Sequence, residues 1–372
     1  MKEASRTSWG HSLVPLVMLA GVCTAASAQS IQTPVGSVLA SDQPYTFFTA
    51  SDGNMWVEHW NGSAFQWNNL GTPSGISLAL PIGVTETNST NPYAYIVGSD
   101  GNLWVTHWDG SGWPWNNLGK PTGVSIVQAI GLTTTENNNP YVYVTGSDGN
   151  LWVTHWDGSG WPWNNLGKPA SAAISATVGV VTVNSNIPEI YVIGNDGNLW
   201  QSEWSGSGWP WTNLGRPPTG AELVSRGVGA ALANQGYPAA FIIGSAGNLW
   251  EIQWNGSTWI WTDWNYPLVS LTTPIGAAST NGNLATHFIA ADGNLWGLDT
   301  YWGWTNSGTP LGVALTQAVS EVTVNGGNTA TARVRGSDGN LWVFDGAWHN
   351  AGGANLPSSG GGGGHGCPRC RQ

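Results

Sequence analysis

Short apolar runs separated by polar turns make up most of the chain. In residues 96–118, three apolar runs are separated by Asp-Gly pairs at 100–101 and 109–110. Asp-Gly pairs supply the positive φ angles that tight hairpins need, so these runs predict three strands of a meander. A further apolar, β-branched run, Val124 to Leu132, links one such unit to the next. This linking run predicts a fourth strand, placed innermost in its sheet.

Alternation with a period of two divides the strand predicted around residues 103–108 into two faces. Trp104, Thr106 and Trp108 lie on one face, and Leu103, Val105 and His107 lie on the other. Both faces carry large apolar side chains, so both must be covered by neighbouring structure.

The whole pattern recurs seven times. Each copy contains the motif Asp/Ala-Gly-Asn-Leu/Met-Trp, with its tryptophan at Trp56, Trp104, Trp152, Trp200, Trp250, Trp296 and Trp342. A unit of this length matches one four-stranded propeller blade. We therefore predict an all-β fold, a seven-bladed β-propeller with four-stranded antiparallel blades, in which these seven tryptophans pack between blades.

The composition agrees with this fold and narrows the choice of ligand. The chain has 53 Gly and 26 Trp, but only 8% of its residues are charged, which suits tight turns and aromatic packing rather than amphipathic helices. Its formal net charge is −11, whereas nucleic acids and anionic membrane surfaces require clustered Lys and Arg. Neutral ligands fit this charge better.

The two ends of the sequence differ from the repeats. Residues 1–28 resemble a signal peptide, with a weakly basic start, an apolar run too short for a membrane anchor and a small-residue cleavage site at Ala26-Ser27-Ala28. We therefore expect a secreted protein, extracellular or periplasmic, with no membrane insertion. Residues 29–357 would form one propeller domain, followed by a flexible Gly-rich tail, 358–372, that ends in a Cys-x-x-Cys pair. That pair could form a small disulfide, and with His365 it offers too few ligands for a structural zinc site.

Other tryptophans of the repeat are candidates for ligand binding. The second tryptophan of the unit is absent from units six and seven, which makes it a weaker candidate for indispensable core. Packing and binding both remain open for this tryptophan and for the pair in the last strand. In units one to five the second tryptophans are Trp60, Trp108, Trp156, Trp204 and Trp254.

The string Asp-Gly-Asn-Leu-Trp-Val-Thr-His-Trp-Asp-Gly-Ser-Gly-Trp-Pro-Trp-Asn-Asn-Leu-Gly-Lys-Pro resembles the repeat of the Photorhabdus-type bacterial lectins, which are seven-bladed β-propellers. The resemblance covers roughly residues 35–357. It implies multivalent recognition of fucose or related, including O-methylated, glycans at repeated sites between blades. The matching positions, besides the five second tryptophans, are Trp67, Asn69, Trp113, Trp115, Asn117, Trp161, Trp163, Asn165, Trp209, Trp211, Asn213, Trp259 and Trp261.

The chemistry of such a site can be argued from the residue types alone. A deoxy or methylated sugar has an apolar C–H face that stacks on an aromatic ring, while its hydroxyl groups need amide or hydroxyl partners. The repeat provides both. Glycans on cell surfaces are thus the expected partners, bound weakly at each site and more tightly through several sites together.

Three other interpretations are weaker. An enzyme similar to the streptogramin lyases would share the turn motif, but His59, His107 and His155 recur in three units rather than forming one catalytic group, so we expect no enzyme. A scaffold for protein–protein interaction and a homo-oligomer remain open. One acid per turn is too few for calcium, so we expect neither a metal nor a cofactor.

Overall fold

The computed structural model describes residues 29–218, 224–265, 267, 269–324, 327–353 and 356. Its 28 strands form seven four-stranded antiparallel sheets, each built from strands consecutive in sequence. This arrangement confirms the predicted seven-bladed β-propeller. The predicted signal peptide, 1–28, and tail, 358–372, lie outside the described residues, so these domain boundaries remain predictions.

The blades are numbered 1 to 7 in chain order. Blades 1 to 4 consist of β1 (Ile31–Ala40), β2 (Gln43–Ala50), β3 (Met55–Trp60), β4 (Phe65–Gly71); β5 (Leu78–Thr87), β6 (Asn91–Gly98), β7 (Leu103–His107), β8 (Trp115–Gly119); β9 (Ile126–Thr134), β10 (Pro140–Gly146), β11 (Leu151–His155), β12 (Trp163–Gly167); and β13 (Ile174–Val183), β14 (Ile187–Gly194), β15 (Leu199–Glu203), β16 (Trp211–Gly215). Blades 5 to 7 consist of β17 (Val224–Leu232), β18 (Pro238–Gly244), β19 (Leu249–Trp254), β20 (Trp259–Asn265); β21 (Leu271–Thr280), β22 (Asn283–Ala290), β23 (Leu295–Asp299), β24 (Gly303–Gly308); and β25 (Leu315–Val324), β26 (Thr329–Gly336), β27 (Leu341–Phe344), β28 (Trp348–Gly352). A short 3-10 turn, Asn234–Gly236, connects β17 to β18.

The first strand of each blade is the innermost, as the linking runs predicted. Each first strand contacts the first strand of the next blade, and β25 contacts β1 to complete the circle. Close approach at the centre depends on glycine: at Gly131 φ is +147°, and an added Cβ would lie 3.1 Å from Val180 of the next blade. The strand register shifts beside this glycine, which bends the strand where neighbouring backbones meet.

The two ends of the described chain meet in blade 7. Gln29 and Leu356 exchange backbone hydrogen bonds of 3.3 and 3.1 Å, and Leu356 packs with Ile31 of blade 1 in a buried apolar cluster. The ring is therefore closed by a short pairing of its termini as well as by the contact between β1 and β25.

The Asp-Gly-Asn turn fixes the first tryptophan of each blade. In blade 2, the Asp100 carboxylate accepts hydrogen bonds from the Asn102 backbone N–H at 3.0 Å and from the Trp104 indole at 3.2 Å. Burial is the largest single influence and opposes ionisation, but the hydrogen bonds together hold the pKa of Asp100 below its ordinary value. The same arrangement joins Asp148 to Trp152. Trp104 and Trp152 pack against the preceding blade, which confirms the predicted structural role for them.

Blade 5 shows what the aspartate contributes. Ala246 stands at the position of the acid, and the indole N–H of Trp250 is buried without a hydrogen-bond partner. The ring thus retains the tryptophan in this blade for its packing alone, since Trp250 is only 2% exposed and belongs to the core between blades 4 and 5.

Candidate functional site

Clefts open between neighbouring blades of the described chain, and four of them are considered in turn. They are named after the blades that form them: cleft 2/3, of about 630 Å³; cleft 3/4, of about 450 Å³; cleft 4/5, of about 330 Å³; and cleft 7/1, of about 470 Å³. Each cleft combines one wall from the middle strands of the preceding blade with a second wall of aromatic residues from the following blade. Repetition of the sequence therefore produces repetition of a concave surface.

A tyrosine stacked on a histidine forms part of the first wall in clefts 2/3 and 3/4. Tyr141 of β10 lies directly across from His155 of β11, and their ring centroids are 4.4 Å apart with an angle of 14° between the planes. Tyr93 and His107 repeat this pair in blade 2 at 4.5 Å and 5°. Burial lowers the pKa of His107. The charge of the nearby Asp109 carboxylate opposes this effect but is smaller, so the neutral imidazole is favoured.

Asparagines of the fourth strand add amide groups to the same wall. Asn116 lies across from Val105, and Asn164 lies across from Val153. Because side chains alternate along a strand, both asparagines lie on the face that carries the histidine, and they line clefts 2/3 and 3/4. An amide offers a hydroxyl-bearing ligand both donors and acceptors.

The second wall consists of two tryptophans from the following blade. Trp156 and Trp161 lie in cleft 2/3 with centroids 6.1 Å apart and planes at 57°. Trp204 and Trp209 repeat this arrangement in cleft 3/4 at 5.7 Å and 51°. The inner member of each pair is anchored, since Trp209 meets the edge of buried Tyr143 at 6.0 Å. The outer members remain 45% (Trp156) and 42% (Trp204) exposed, as a stacking platform requires.

Asn139 holds the outer tryptophan of blade 3 in place. Its side-chain amide donates to the Trp156 carbonyl oxygen at 2.7 Å, and its amide oxygen accepts from the Trp156 backbone N–H at 3.2 Å. Asn139 belongs to the loop before β10, which also lines cleft 2/3. The platform is therefore attached to its own blade by backbone contacts while its ring stays accessible.

The second tryptophans of the repeat lie at the boundaries between blades, where the resemblance implied binding sites. Trp60, Trp156, Trp204 and Trp254 line clefts 7/1, 2/3, 3/4 and 4/5. Trp108 is 41% exposed and pairs with Trp113 at 5.9 Å, the corresponding arrangement at the boundary of blades 1 and 2. Across that boundary, Tyr45 stacks on His59 at 5.0 Å. A ligand role for these residues remains a prediction.

The second tryptophan of the last-strand pair has a structural contact. Its indole N–H donates to a backbone carbonyl of the preceding blade, at 2.9 to 3.3 Å, in Trp67 to Ala351, Trp115 to Leu70, Trp163 to Leu118 and Trp211 to Leu166. Trp261 instead meets the edge of Trp250 at 6.4 Å. These bonds join neighbouring blades and give this class a packing role. The sequence left packing and binding open for it, and a ligand role stays a prediction.

The predicted asparagines also have a local role. The side-chain oxygen of each accepts the backbone N–H of the glycine two residues later, at 2.7 to 2.8 Å, in Asn69, Asn117, Asn165 and Asn213. The bond stabilises the irregular end of the fourth strand. Asn165 is also found at the rim of cleft 3/4.

The sequence analysis did not identify the tyrosines of the clefts, nor the first asparagine of the Asn-Asn pair in the fourth strand. Tyr93, Tyr141, Asn116 and Asn164 line the clefts but belong to the blade before the tryptophans. A signal was present, because Asn-Pro-Tyr-x-Tyr occurs in both units two and three, at residues 91–95 and 139–143. The tryptophans of the next blade that face this motif could not be identified without knowing which blades are neighbours in the ring.

Cleft 4/5 differs chemically from its neighbours. Glu189, Gln201 and Glu203 take the register positions of Tyr141, Val153 and His155. Burial, with a smaller contribution from the Glu203 charge, raises the pKa of Glu189 to about 7, even though hydrogen bonds from Tyr191 and Gln201 lower it. Trp254 and Trp259 complete the cleft with centroids 5.6 Å apart.

The remaining boundaries depart further from the common arrangement. In cleft 7/1, Arg333 and Asp345 face Trp60 and Phe65. Between blades 5 and 6, Trp264 donates its indole N–H to the Glu251 carboxylate at 2.7 Å. The unit of blade 6 has no second tryptophan. The complete pair of walls is therefore confined to part of the ring.

The described residues contain no group of three or more His, Cys, Asp and Glu side chains that could hold a metal ion. Within the same residues, no helix has the length and apolarity needed to cross a membrane.

Comparison with known proteins identifies the architecture. No protein-family model matches the chain, and a comparison with curated proteins found no match. Among solved structures, the lectin BP39L of Burkholderia pseudomallei is similar over 90% of this chain and 98% of its own, with 17% identity and a TM-score of 0.58. The fucose-specific lectin of Aleuria aurantia matches 77% of this chain and 100% of its own, with 19% identity and a TM-score of 0.50. At these identities the similarity shows a shared propeller fold.

Proposed function

We propose that the protein is a multivalent lectin whose inter-blade clefts bind neutral sugars, with fucose or a related O-methylated sugar as the preferred ligand. One observation carries this proposal. Clefts 2/3 and 3/4 repeat the same combination of a tyrosine–histidine stack, an asparagine amide and a half-exposed tryptophan. The similarity of the fold to the fucose-specific lectin of Aleuria aurantia supports fucose-like sugars as the ligand class.

The two walls match the two faces of such a sugar. The exposed ring of Trp204 offers a flat apolar surface for C–H groups, and Asn164 offers hydrogen bonds for hydroxyl groups. His155 and Tyr141 form a second flat surface on the opposite side of the cleft. A deoxy or methylated sugar has more C–H surface than its hydroxylated relatives and therefore gains more from both walls.

Several copies of the cleft on one rigid ring favour binding to surfaces that display many glycans. Each shallow cleft binds weakly, but simultaneous engagement raises affinity through effective concentration, by a factor on the order of 100 or more. Glycoconjugates of a cell surface are thus the proposed partners. Removal of residues 1–28 during export, which the leader predicts, would bring the propeller into contact with them.

A glycan array tests the proposal directly. The chain from residue 29 onwards should bind fucosylated or O-methylated glycans, and free L-fucose should compete. The combined Trp156→Ala and Trp204→Ala variant should lose most of the array signal, while Trp302→Ala, which removes an exposed tryptophan of blade 6 outside the four clefts, should keep it. An array without bound glycans would contradict the lectin proposal and return attention to a protein-binding scaffold. Conversion of a bound glycan to a product would contradict the expectation that the protein is not an enzyme.

A further inference from the structure

Cleft 4/5 keeps the aromatic wall of its neighbours but carries acids on the opposite wall. Glu189 and Glu203 are paired across β14 and β15, just as Tyr141 and His155 are paired across β10 and β11. The flat ring stack of cleft 3/4 is thereby replaced by two carboxyl groups in a cleft of about 330 Å³. A ligand that suits the neighbouring clefts would meet a different surface here.

Glu189 presents a carboxyl group to this cleft. Its side chain lines the cleft although the residue is only 5% exposed. The Tyr191 hydroxyl and the Gln201 side-chain amide both donate to the same oxygen, Oε2, the latter at 2.9 Å. The Glu203 carboxyl group also lies within hydrogen-bonding reach of the Glu189 carboxyl group. Two carboxyl groups held side by side repel each other when both are ionised, so a ligand N–H placed between them would be stabilising.

The rest of the cleft suits a positive charge. Trp254, Trp259 and Tyr237 surround the acids with aromatic rings, and a cation placed over such rings is attracted by their electron-rich faces. Glu203 adds a second carboxyl group on the same wall. None of the described residues that line this cleft is Lys or Arg, so those side chains would not repel a cationic ligand.

We propose that cleft 4/5 binds an amino sugar with a free ammonium group. The sugar ring would stack on Trp254, and the ammonium group would donate to the Glu189 carboxyl group and lie close to Glu203. Stacking on an outer tryptophan rests on the proposed lectin function, whereas selection for the charge rests on the two glutamates alone. N-acetylation removes the positive charge of the ligand, so the N-acetylated sugar would be a poor ligand for this cleft.

Tryptophan indole resonances report binding in each cleft separately. The protein with ¹⁵N-labelled tryptophan would be titrated at neutral pH with D-glucosamine, N-acetyl-D-glucosamine and D-glucose, after assignment of Trp254 with a Trp254→Phe variant. The Trp254 signal should shift saturably with glucosamine. Cleft 4/5 should bind each of the two neutral sugars about tenfold or more weakly, as expected when a charge-assisted hydrogen bond is lost. Equal affinity for all three sugars at Trp254 would overturn the proposal.

Substitution of the acids gives an independent test. The combined Glu189→Gln and Glu203→Gln variant retains shape but removes charge, and its affinity for glucosamine should fall about tenfold or more. The matched control is His155→Gln, which changes the position corresponding to Glu203 in cleft 3/4 and should leave glucosamine binding at Trp254 unchanged. Unaltered binding in the glutamine variant would refute the site. If the double variant does not fold, Glu203→Gln alone serves, with a smaller loss expected.

The two proposals can fail separately. Shifts of the Trp156 and Trp204 signals with L-fucose test the neutral-sugar clefts, and they do not depend on Glu189 or Glu203. Glucosamine binding without fucose binding would support the cationic site and contradict the proposed preference of the other clefts. Fucose binding without any response of Trp254 to glucosamine would support the neutral-sugar clefts and contradict the cationic site.

Discussion

The imidazole of His155 lies flat against the phenol ring of Tyr141, with centroids 4.4 Å apart. The two residues face each other across neighbouring strands of blade 3, and together they form a surface opposite Trp204 of blade 4. An aromatic stack on one blade thus opposes an aromatic platform on the next. This relationship is repeated in blade 2, but in blade 4 the corresponding pair consists of two glutamates.

Two classes of tryptophan should respond differently to substitution. Trp204→Ala should reduce sugar binding in cleft 3/4 by about 1 to 3 kcal/mol with little change in stability, because the ring is half exposed. Trp211→Phe should leave binding intact but lower stability by about 1 kcal/mol, because it removes the N–H that donates to Leu166 of blade 3. Isothermal titration calorimetry and chemical denaturation separate the two effects. Equal destabilisation by both substitutions would contradict the division into platform and packing tryptophans.

Blade 5 should gain stability from the aspartate that it lacks. Ala246→Asp would place a carboxylate where the other blades have one, and the buried Trp250 indole would acquire an acceptor. We expect an increase in unfolding free energy of about 0.5 to 1.5 kcal/mol. Asp148→Ala, which removes the existing acceptor of Trp152, should change stability in the opposite direction. Thermal unfolding of both variants checks the prediction, and a loss of stability in Ala246→Asp would show that this turn cannot adopt the geometry of the others.

The raised pKa of Glu189 should make stability fall as pH rises. Glu189 has an ordinary pKa of 4.5 and a folded pKa of about 7, caused first by burial and then by the charge of Glu203. A raised folded pKa means that the native state holds the proton more tightly, so its contribution is complete below pH 4.5 and is lost as pH rises through 7. The loss is on the order of 3 kcal/mol.

Denaturation of the wild type and of Glu189→Gln at pH 5 and pH 8 measures this contribution. The glutamine variant should lose less stability between these values than the wild type does. Glu136→Gln, which removes an exposed carboxylate in blade 3, serves as the control and should keep the wild-type slope. If Glu189→Gln lost as much stability between pH 5 and pH 8 as the wild type does, Glu189 would not be the source of this pH dependence.

A buried arginine and a buried glutamate of opposite charge interact electrostatically between blades 7 and 1. Arg333 is 1% exposed and donates from Nε to the Thr46 hydroxyl at 2.8 Å, while the Glu58 carboxylate nearby is fully buried. Burial raises the pKa of Glu58, and the Arg333 charge opposes this rise. Arg333→Met should therefore destabilise the protein by about 1 to 3 kcal/mol, because it removes the hydrogen bond to Thr46 and the positive charge near Glu58.

A double-mutant cycle tests this coupling. Glu58→Leu combined with Arg333→Met should be less destabilising than Arg333→Met alone, since no buried charge then remains. Additive losses in chemical denaturation would mean that the two groups do not interact across the ring closure.

Much of the fold could be predicted from the sequence because its signals are local. Asp-Gly pairs such as 100–101 mark hairpins, period-two alternation marks strands, and the recurrence of the Asp-Gly-Asn turn gives seven blades. The role of Trp104 followed from the same reasoning, since its position is retained in every unit. The linking run around Val124 to Leu132 was also placed correctly as an inner strand.

The composition of the clefts was decided by tertiary structure. Trp204 meets Tyr141 and His155 only because blade 4 stacks on blade 3, and the residues of one cleft are thus distant in sequence. The packing role of Trp115 has the same origin, since its partner, the Leu70 carbonyl, belongs to the previous blade.

The sequence by itself determined the strands, the turns and the number of blades, because those features depend on residues close together in the chain. Only the closed ring decided which side chains share a cleft, which tryptophans remain exposed and how strongly Glu189 holds its proton. These properties depend on burial and on contacts between neighbouring blades, and both arise only when the blades pack against one another.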